Sequence, residues 1–195
     1  MNAMDAAPGQ VLDFWFGAPG STQFGQPREF WFTKSAATDT LIRSRFGPLV
    51  EAALRGQLRH WADGEARTAL ALVLLLDQFT RNIHRDSARA FAGDDAALAV
   101  AKRLVADGRD RQLAPVERWF AYLPFEHSER IEDQHESLRL FGELAQQGLA
   151  EPLVWARKHH DVVARFGRYP HRNEALGRQS TPEEIEFLRQ PGSRF

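Results

Sequence analysis

The chain has 195 residues, a length typical of one domain, and 43% of them are hydrophobic, which is enough to bury a substantial core. Its 25 basic residues nearly balance its 26 acidic ones, so the charge of -1 gives no sign of a nucleic-acid partner. The absence of cysteine excludes disulfides, thiolate metal sites and cysteine nucleophiles, and we assign the chain no metal or cofactor. The longest apolar run, Ala69 to Leu76, is too short to span a membrane, and the first ten residues lack the pattern of a secretory signal. We therefore expect one cytoplasmic domain, residues 1–195, that binds neither nucleic acid nor a membrane.

The first half of the chain predicts four helices. Gly17 ends the first, and the Gly- and Pro-rich residues 18–28 form a loop. Apolar residues at helical spacing predict the others, and the third is apolar on every side of its middle, which indicates a central, covered helix. The predicted ranges are residues 11–16, 35–54, 64–84 and 95–106.

Proline and glycine mark the helices of the second half. Pro115 suits the first helical position, and Pro124 is expected to break that helix after residue 122. Two amphipathic helices follow, over residues 131–146 and 152–166. Thr181, Pro182 and Glu184 have the spacing of a capping box, which predicts a last short helix that ends near Leu188.

The signals together predict an all-α protein. No segment has the period-two alternation of a β-strand, and the predicted helices number eight or nine. Because helices joined by short loops pack antiparallel, we expect an array of helical hairpins.

A first polar cluster follows directly from the most apolar stretch. Asp77 and Arg81 are four residues apart and can form an ion pair on one helix face, while Gln78 and Asn82 repeat the spacing beside them. Charges near a core helix are costly to bury unless they are paired. The cluster is therefore either a ligand site or a buried ion pair that holds helices together.

A second polar cluster surrounds the end of the Pro115 helix. His127 and Glu129 are candidates for a proton-transfer pair, because a neighbouring carboxylate raises the pKa of an imidazole. No zinc-binding spacing is present. The alternative is a loop whose side chains cap backbone amides.

A third cluster is rich in cations, and Gly167 and Pro170 constrain its loop. Guanidinium groups match the oxygens of phosphate and carboxylate, so such a loop is a candidate anion site. The alternative is an arginine-rich loop that pairs with acids elsewhere, such as Asp77 or Glu129. The candidate residues are His159, Arg168, His171, Arg172 and Asn173.

Several long motifs resemble a bacterial family known only as domain of unknown function 924. They are VLDFWFG at 11–17, WFTK at 31–34, LLLDQFTRNI at 74–83, FEHSE at 125–129 and RFGRYPHRN at 165–173. The resemblance spans about residues 11–189 and implies a fold related in shape to tetratricopeptide repeats. It implies no activity. His84 departs from the pattern, because relatives usually carry an aromatic residue there.

Two functions remain open, and the sequence does not decide whether the protein is an enzyme. The first is a pocket for a small anionic molecule, in which the three clusters meet. Its expected catalytic residues are His127, Glu129 and His171, and its expected binding residues are Asp77, Gln78, Arg81, Asn82, His159, Arg168, Arg172 and Asn173. The second is a helical scaffold that binds a peptide or protein in a groove and uses the polar clusters only as internal supports.

Overall fold

A computed structural model describes residues 7–193, which are helical without any β-strand. The α-helices are α1 (Ala7–Phe16), α2 (Ala36–Leu54), α3 (Ala66–Val73), α4 (Thr80–Ile83), α5 (Asp94–Ala106), α6 (Pro115–His127), α7 (Ile131–Gln146), α8 (Glu151–Phe166) and α9 (Pro182–Leu188). A π-helical segment, Leu74–Phe79, joins α3 to α4 without interruption. Short 3₁₀ segments occupy Glu29–Trp31, Arg59–Asp63, Ala88–Phe91, Arg109–Gln112 and Pro170–Arg172. With α3, the π-helix and α4 taken as one helix, the described residues form eight, and the all-α prediction is confirmed.

Side-chain caps begin two helices, and the one at Thr181 was predicted. The Ser35 side chain accepts a hydrogen bond from the Thr38 amide and begins α2. Thr181 and Glu184 exchange the two hydrogen bonds of a capping box at the start of α9. Each side chain satisfies amides that the first turn of a helix leaves without partners.

The predicted break at Pro124 is wrong, because α6 continues through this residue to His127. Proline weakens a helix by removing one backbone hydrogen bond. The Gln134 side chain of α7 holds the end of this helix, since its Nε2 lies 3.3, 2.7 and 2.6 Å from the carbonyl oxygens of Phe125, Glu126 and Ser128. A contact from another helix thus stabilises the last turn, and the local sequence does not reveal it.

The core forms around the helix that was expected to be central. Every residue from 69 to 80 is buried. Phe79 packs against Trp15 and Phe46, with ring centroids 5.3 and 5.1 Å apart. Aromatic rings at these distances pack favourably at tilted or edge-on angles.

The helix packing brings the parts of the candidate site together. Helix α7 packs on both α6 and α8, and α5 packs on both α3 and α6. The end of α6, the start of α5, α8 and the loop after α8 consequently meet beside the π-helix. Within residues 7–193, no helix combines the length and apolar character that a membrane crossing requires. A superhelical arrangement of the hairpins stays a prediction.

Candidate functional site

A π-helical turn positions the first carboxylate of the site. The helix widens over Leu74–Phe79, and Thr80 Oγ1 donates a 2.8 Å hydrogen bond to the Leu75 carbonyl. Single π-turns inside α-helices are frequent at functional sites. This turn holds the Asp77 side chain completely buried against the end of α6.

Asp77 is the centre of a buried hydrogen-bond network. Its carboxylate lies 2.6 Å from His127 Nδ1 and accepts bonds of 2.7 Å from Gln78 Nε2 and 3.2 Å from Arg81 Nη1. Burial acts to raise the pKa of this carboxyl, but Arg81 and His127 together hold the pKa well below its usual range. Asp77 is therefore ionised at neutral pH, although no part of it is exposed.

The contact with Asp77 determines the tautomer of His127. A carboxylate only accepts hydrogen bonds, so Nδ1 carries the proton and Nε2 carries the lone pair. Burial and the charge of Arg81 lower the pKa of His127, which keeps the ring neutral at pH 7. The buried Asp77 carboxylate therefore fixes the orientation of the His127 ring, and 14% of the His127 side chain is exposed.

Two arginines share one carboxylate at the edge of this network. Arg81 binds Asp94 through two bonds of 2.7 and 3.0 Å, whereas Arg172 donates a single bond of 3.3 Å to it. The Arg172 guanidinium lies 4.8 Å from the Phe91 ring and 4.4 Å from the Tyr169 ring. Its Nε is buried without a hydrogen-bond partner. Arg172 therefore has donor capacity that its protein neighbours do not use.

Gly93 allows Asp94 to approach the π-helix. A Cβ atom on Gly93 would overlap the carbonyl group of Leu76, so only glycine permits this contact. The close approach places the first residue of α5 beside Arg81. Sequence analysis overlooked Asp94, since acidic residues at the start of a helix are common for reasons of the helix dipole alone.

A second imidazole lies beside the first, on α8. The His127 and His159 rings have centroids 6.2 Å apart. His159 Nδ1 lies 2.9 Å from the Trp155 carbonyl and 3.2 Å from Glu126 Oε1. Burial and the ionised Asp77 raise the pKa of Glu126 well above its usual range, while burial and His127 lower the pKa of His159 to about 3. The contact between Glu126 and His159 is therefore a hydrogen bond between neutral groups.

The loop after α8 attaches to α6 through Glu129. The Glu129 carboxylate accepts bonds of 2.6 and 2.9 Å from Arg178 and a 2.8 Å bond from the Tyr169 amide. The Tyr169 hydroxyl donates a 2.5 Å bond to the Glu126 carbonyl and accepts one from Gln134. Burial acts to raise the pKa of Glu129, but Arg178 and the Tyr169 amide lower it, so the carboxylate is ionised and holds the loop in place.

The three sequence clusters meet in one region. The Asp77–His127 contact joins the first to the second, and the Glu129–Arg178 ion pair joins the second to the third. Asp94 bridges the arginines of the first and third. His171 lies half-buried in the same region, with its ring 5.6 Å from the Tyr169 ring.

Two of the expected binding residues, Asn82 and Arg168, lie in other hydrogen-bond networks. Asn173 lies at the edge of the region, where its Oδ1 accepts a 2.9 Å bond from Arg178. Asn82 donates to Asp39 at 2.8 Å, on the α2 side of the helix. Arg168 binds Glu184 through two bonds of 2.7 and 2.8 Å, and Asn173 donates to the same carboxylate. These contacts connect chain segments and leave the three side chains with internal partners.

The expected proton-transfer pair of His127 and Glu129 does not form. His127 is the last residue of α6 and faces Asp77, whereas Glu129 follows the helix end and faces Arg178. Residues two positions apart across a helix end point in different directions. Over the part of the chain that the structure describes, no group of three His, Asp or Glu side chains is arranged to hold a metal ion.

Two surface cavities lie elsewhere. One, of about 360 Å³, includes Lys102 and Asp133, and the other, of about 460 Å³, includes Arg103 and Asp63. In each the opposite charges form an ion pair. Ligand sites are usually concave, so shape alone would select these cavities as the ligand site. Titratable groups with shifted pKa values cluster at functional sites, and such groups meet in the region from Asp77 to Arg172, which we therefore take as the candidate site.

The comparisons with known proteins agree with the sequence motifs. The family model for bacterial proteins of unknown function, DUF924, matches residues 11–192. The chain belongs to the DUF924 family. A solved structure of a protein of unknown function from Agrobacterium tumefaciens is 38% identical to this DUF924 chain, with a TM-score of 0.82 over 95% of this chain and 98% of that one. No curated protein matches.

Proposed function

We propose that this DUF924 protein binds a small anionic molecule, a carboxylate or a phosphate, at Arg172, and that His127 exchanges a proton with it. The observation that carries the proposal is the state of Arg172. Its buried guanidinium forms one 3.3 Å bond and has an Nε without a partner. A guanidinium offers five donors in a planar arrangement that suits an oxyanion.

Asp94 binds the two arginines unequally, so an anion at Arg172 competes with one long hydrogen bond only. Its carboxylate is 20% exposed and is held mainly by Arg81, through two short bonds. An incoming oxyanion can therefore take over Arg172 while Arg81 keeps its partner. The Phe91 and Tyr169 rings hold the Arg172 guanidinium in place, so little side-chain entropy is lost on binding.

His127 supports an acid–base role beside the anion. Asp77 orients the ring, and a neutral imidazole at pH 7 is a competent base. Glu129 and His171, the other expected catalytic residues, have no catalytic role in this proposal. Glu129 holds the loop through Arg178, and His171 lies at the side of Tyr169.

The first experiment is thermal melting of the protein with panels of small carboxylates, phosphorylated metabolites and nucleotides. A ligand at 100 times its Kd stabilises the folded state by about 2.7 kcal/mol, which corresponds to a rise of several degrees in Tm. We expect selective stabilisation by one class of anion. Stabilisation should disappear in Arg172→Gln.

Arg157→Gln is the matched control. Arg157 is an exposed arginine of α8, so its loss changes the net charge equally without touching the cluster. The control should keep the full shift in Tm. Equal losses in both variants, or no shift with any anion, would contradict the proposal.

A peptide- or protein-binding scaffold is the second candidate. The observation that favours it is an exposed apolar pair at the start of α8, where Val154 and Trp155 are 52% and 41% exposed. Adjacent exposed apolar side chains are frequent at protein interfaces. A flat response to every anion would favour this candidate.

A further inference from the structure

We infer that the larger surface cavity, beside the end of α2, is a second ligand site that binds a straight-chain carboxylic acid. The alkyl chain of the ligand lies inside the cavity and its carboxylate binds Arg59. Arg172 and its neighbours do not line this cavity, so the inference does not depend on the proposed function. It rests on an apolar interior of suitable volume, a cation at the rim without an internal partner, and a surplus of positive charge around the opening.

The interior of the cavity suits an alkyl chain. Its volume of about 460 Å³ lies within the range of about 300–1,000 Å³ that is usual for small-molecule pockets. Leu72 of α3, Leu76 of the π-helix and Val100 of α5 line it with buried apolar side chains, and Leu54 of α2 is half-buried there. These side chains offer no hydrogen-bond partner, so they favour an apolar group that leaves water.

Two alanines keep the cavity open on the side of α5. Ala96 and Ala99 are three residues apart, which places them on one face of the helix, and both are exposed residues of the cavity wall. A larger side chain at Ala99 would occupy the space that the ligand needs. Because Ala99 is exposed, such a substitution changes the cavity without disturbing the core.

Arg59 lies at the rim of the cavity and has no partner within the described part of the chain. Gly56 follows the end of α2 with a φ of +72°, and a Cβ atom on it would lie 2.7 Å from Arg59 Nε and 3.1 Å from Arg59 Cζ. Glycine thus allows the guanidinium to lie against the backbone here. Among residues 7–193, the Arg59 side chain forms neither an ion pair nor a hydrogen bond. Its donors are available to an oxyanion.

The other charged residues of the rim also favour an anionic head group. Arg55 and Arg103 line the cavity together with Arg59, and Asp63 is the acidic residue among the described lining residues. Asp63 pairs with Arg103, whereas Arg55 has a contact of 3.7 Å with Glu51. The opening therefore carries more positive than negative charge. A single unpaired guanidinium matches the charge and the planar shape of one carboxylate.

Calorimetric titration with butanoate, hexanoate and octanoate tests the apolar part of the site. Each methylene group that enters the cavity should raise the affinity about fourfold. Ala99→Phe should abolish octanoate binding, and thermal unfolding shows whether this variant is folded. Ala164→Phe, at an exposed alanine of α8, is the control that keeps binding. Equal affinity for the three acids, or octanoate binding that persists in Ala99→Phe, would overturn the inference.

Octan-1-ol separates the role of the head group from that of the chain. Arg59→Gln should weaken the binding of octanoate about tenfold, because a charge-assisted hydrogen bond is lost, and should leave the binding of octan-1-ol unchanged. Arg157→Gln removes an exposed arginine of α8 and should affect neither ligand. Equal weakening of both ligands in Arg59→Gln, or no weakening of octanoate, would contradict the inference.

Arg172→Gln distinguishes the two sites. Octanoate that binds in the cavity should keep its affinity in this variant. Octanoate binding that is lost in Arg172→Gln and kept in Arg59→Gln would place the acid at Arg172 and overturn the inference. Octanoate binding that requires Arg59, in a protein where no anion binds at Arg172, would instead confirm the inference and contradict the proposed function.

Discussion

At the scale of single residues, the buried charge of Asp77 depends on its three partners. Asn in its place keeps the shape and one acceptor but removes the charge that faces Arg81 and His127. Loss of one partner from a buried ion pair costs about 3–5 kcal/mol, and we expect Asp77→Asn to cost about 3 because Arg81 keeps Asp94. Urea unfolding at pH 7 measures this loss.

The same substitution should lower the pKa of His127 further. Asp77 is the main group that favours the charged ring and Asp94 adds to it, while burial and Arg81 oppose it. NMR titration of the His127 ring detects the change. Asp161→Asn is a control at a carboxylate that is 78% exposed, and its effect should stay within about 0.5 kcal/mol. A His127 pKa that is unchanged or higher would refute the hydrogen bond to Asp77.

At the scale of helices and turns, the sequence is most informative where the signal is local. Thr181 begins α9 as predicted, since a capping side chain and its target amide are three residues apart. The continuation of α6 through Pro124 depends on Gln134, which belongs to another helix. The π-helix likewise has no local signature, because its sequence reads as an ordinary apolar helix.

The contact between Gly93 and the π-helix gives a prediction for the junction of two elements. A methyl group on Gly93 must displace the Leu76 backbone or the start of α5. Overpacking of a tight contact usually costs about 1–3 kcal/mol, and we expect Gly93→Ala to lie at the upper end because the obstructing atoms belong to the backbone. Thermal and urea unfolding measure the loss.

Gly142 provides the matched control for this substitution. It lies within α7, and a Cβ there would meet no atom within 4 Å. Gly142→Ala should therefore stabilise the protein by about 0.5–1 kcal/mol, through the higher helix propensity of alanine. A Gly93→Ala protein as stable as the wild type would contradict the close approach at Gly93.

At the scale of the whole molecule, the site joins groups that are far apart in the chain. Arg172 and Asp94 are 78 residues apart, and His127 and Asp77 are 50 apart. Sequence analysis could select polar residues that interrupt apolar helices, because buried charge is unusual wherever it occurs. It could not pair them, since pairing depends on how α5, α6 and α8 pack. Glu126 was not selected for this reason, whereas Asp94 was overlooked because acidic residues are common at helix starts.

The distribution of ion pairs predicts how the molecule responds to acid. Several carboxyls have a lowered pKa because each has a basic partner, and those partners mostly belong to other elements. These carboxyls are Asp39, Asp77, Glu129, Asp133 and Glu184. A carboxyl with a lowered folded pKa stabilises the protein above its unfolded pKa, and this contribution is lost as pH falls through the folded value. Urea unfolding should therefore show a steep loss of stability below about pH 4.5.

Glu184 is a single carboxyl at which the link between a lowered pKa and acid sensitivity can be tested. Burial opposes ionisation of Glu184, but the two-bond contact with Arg168 is the larger effect and lowers its pKa to about 2. Glu184→Gln keeps the geometry of the cap but has no proton to gain. The stability lost in this variant at pH 7 should shrink about tenfold in equilibrium constant per pH unit below pH 4.5. A constant difference from wild type down to pH 3 would show that Glu184 acts through its shape alone, because only a charge can couple stability to protons.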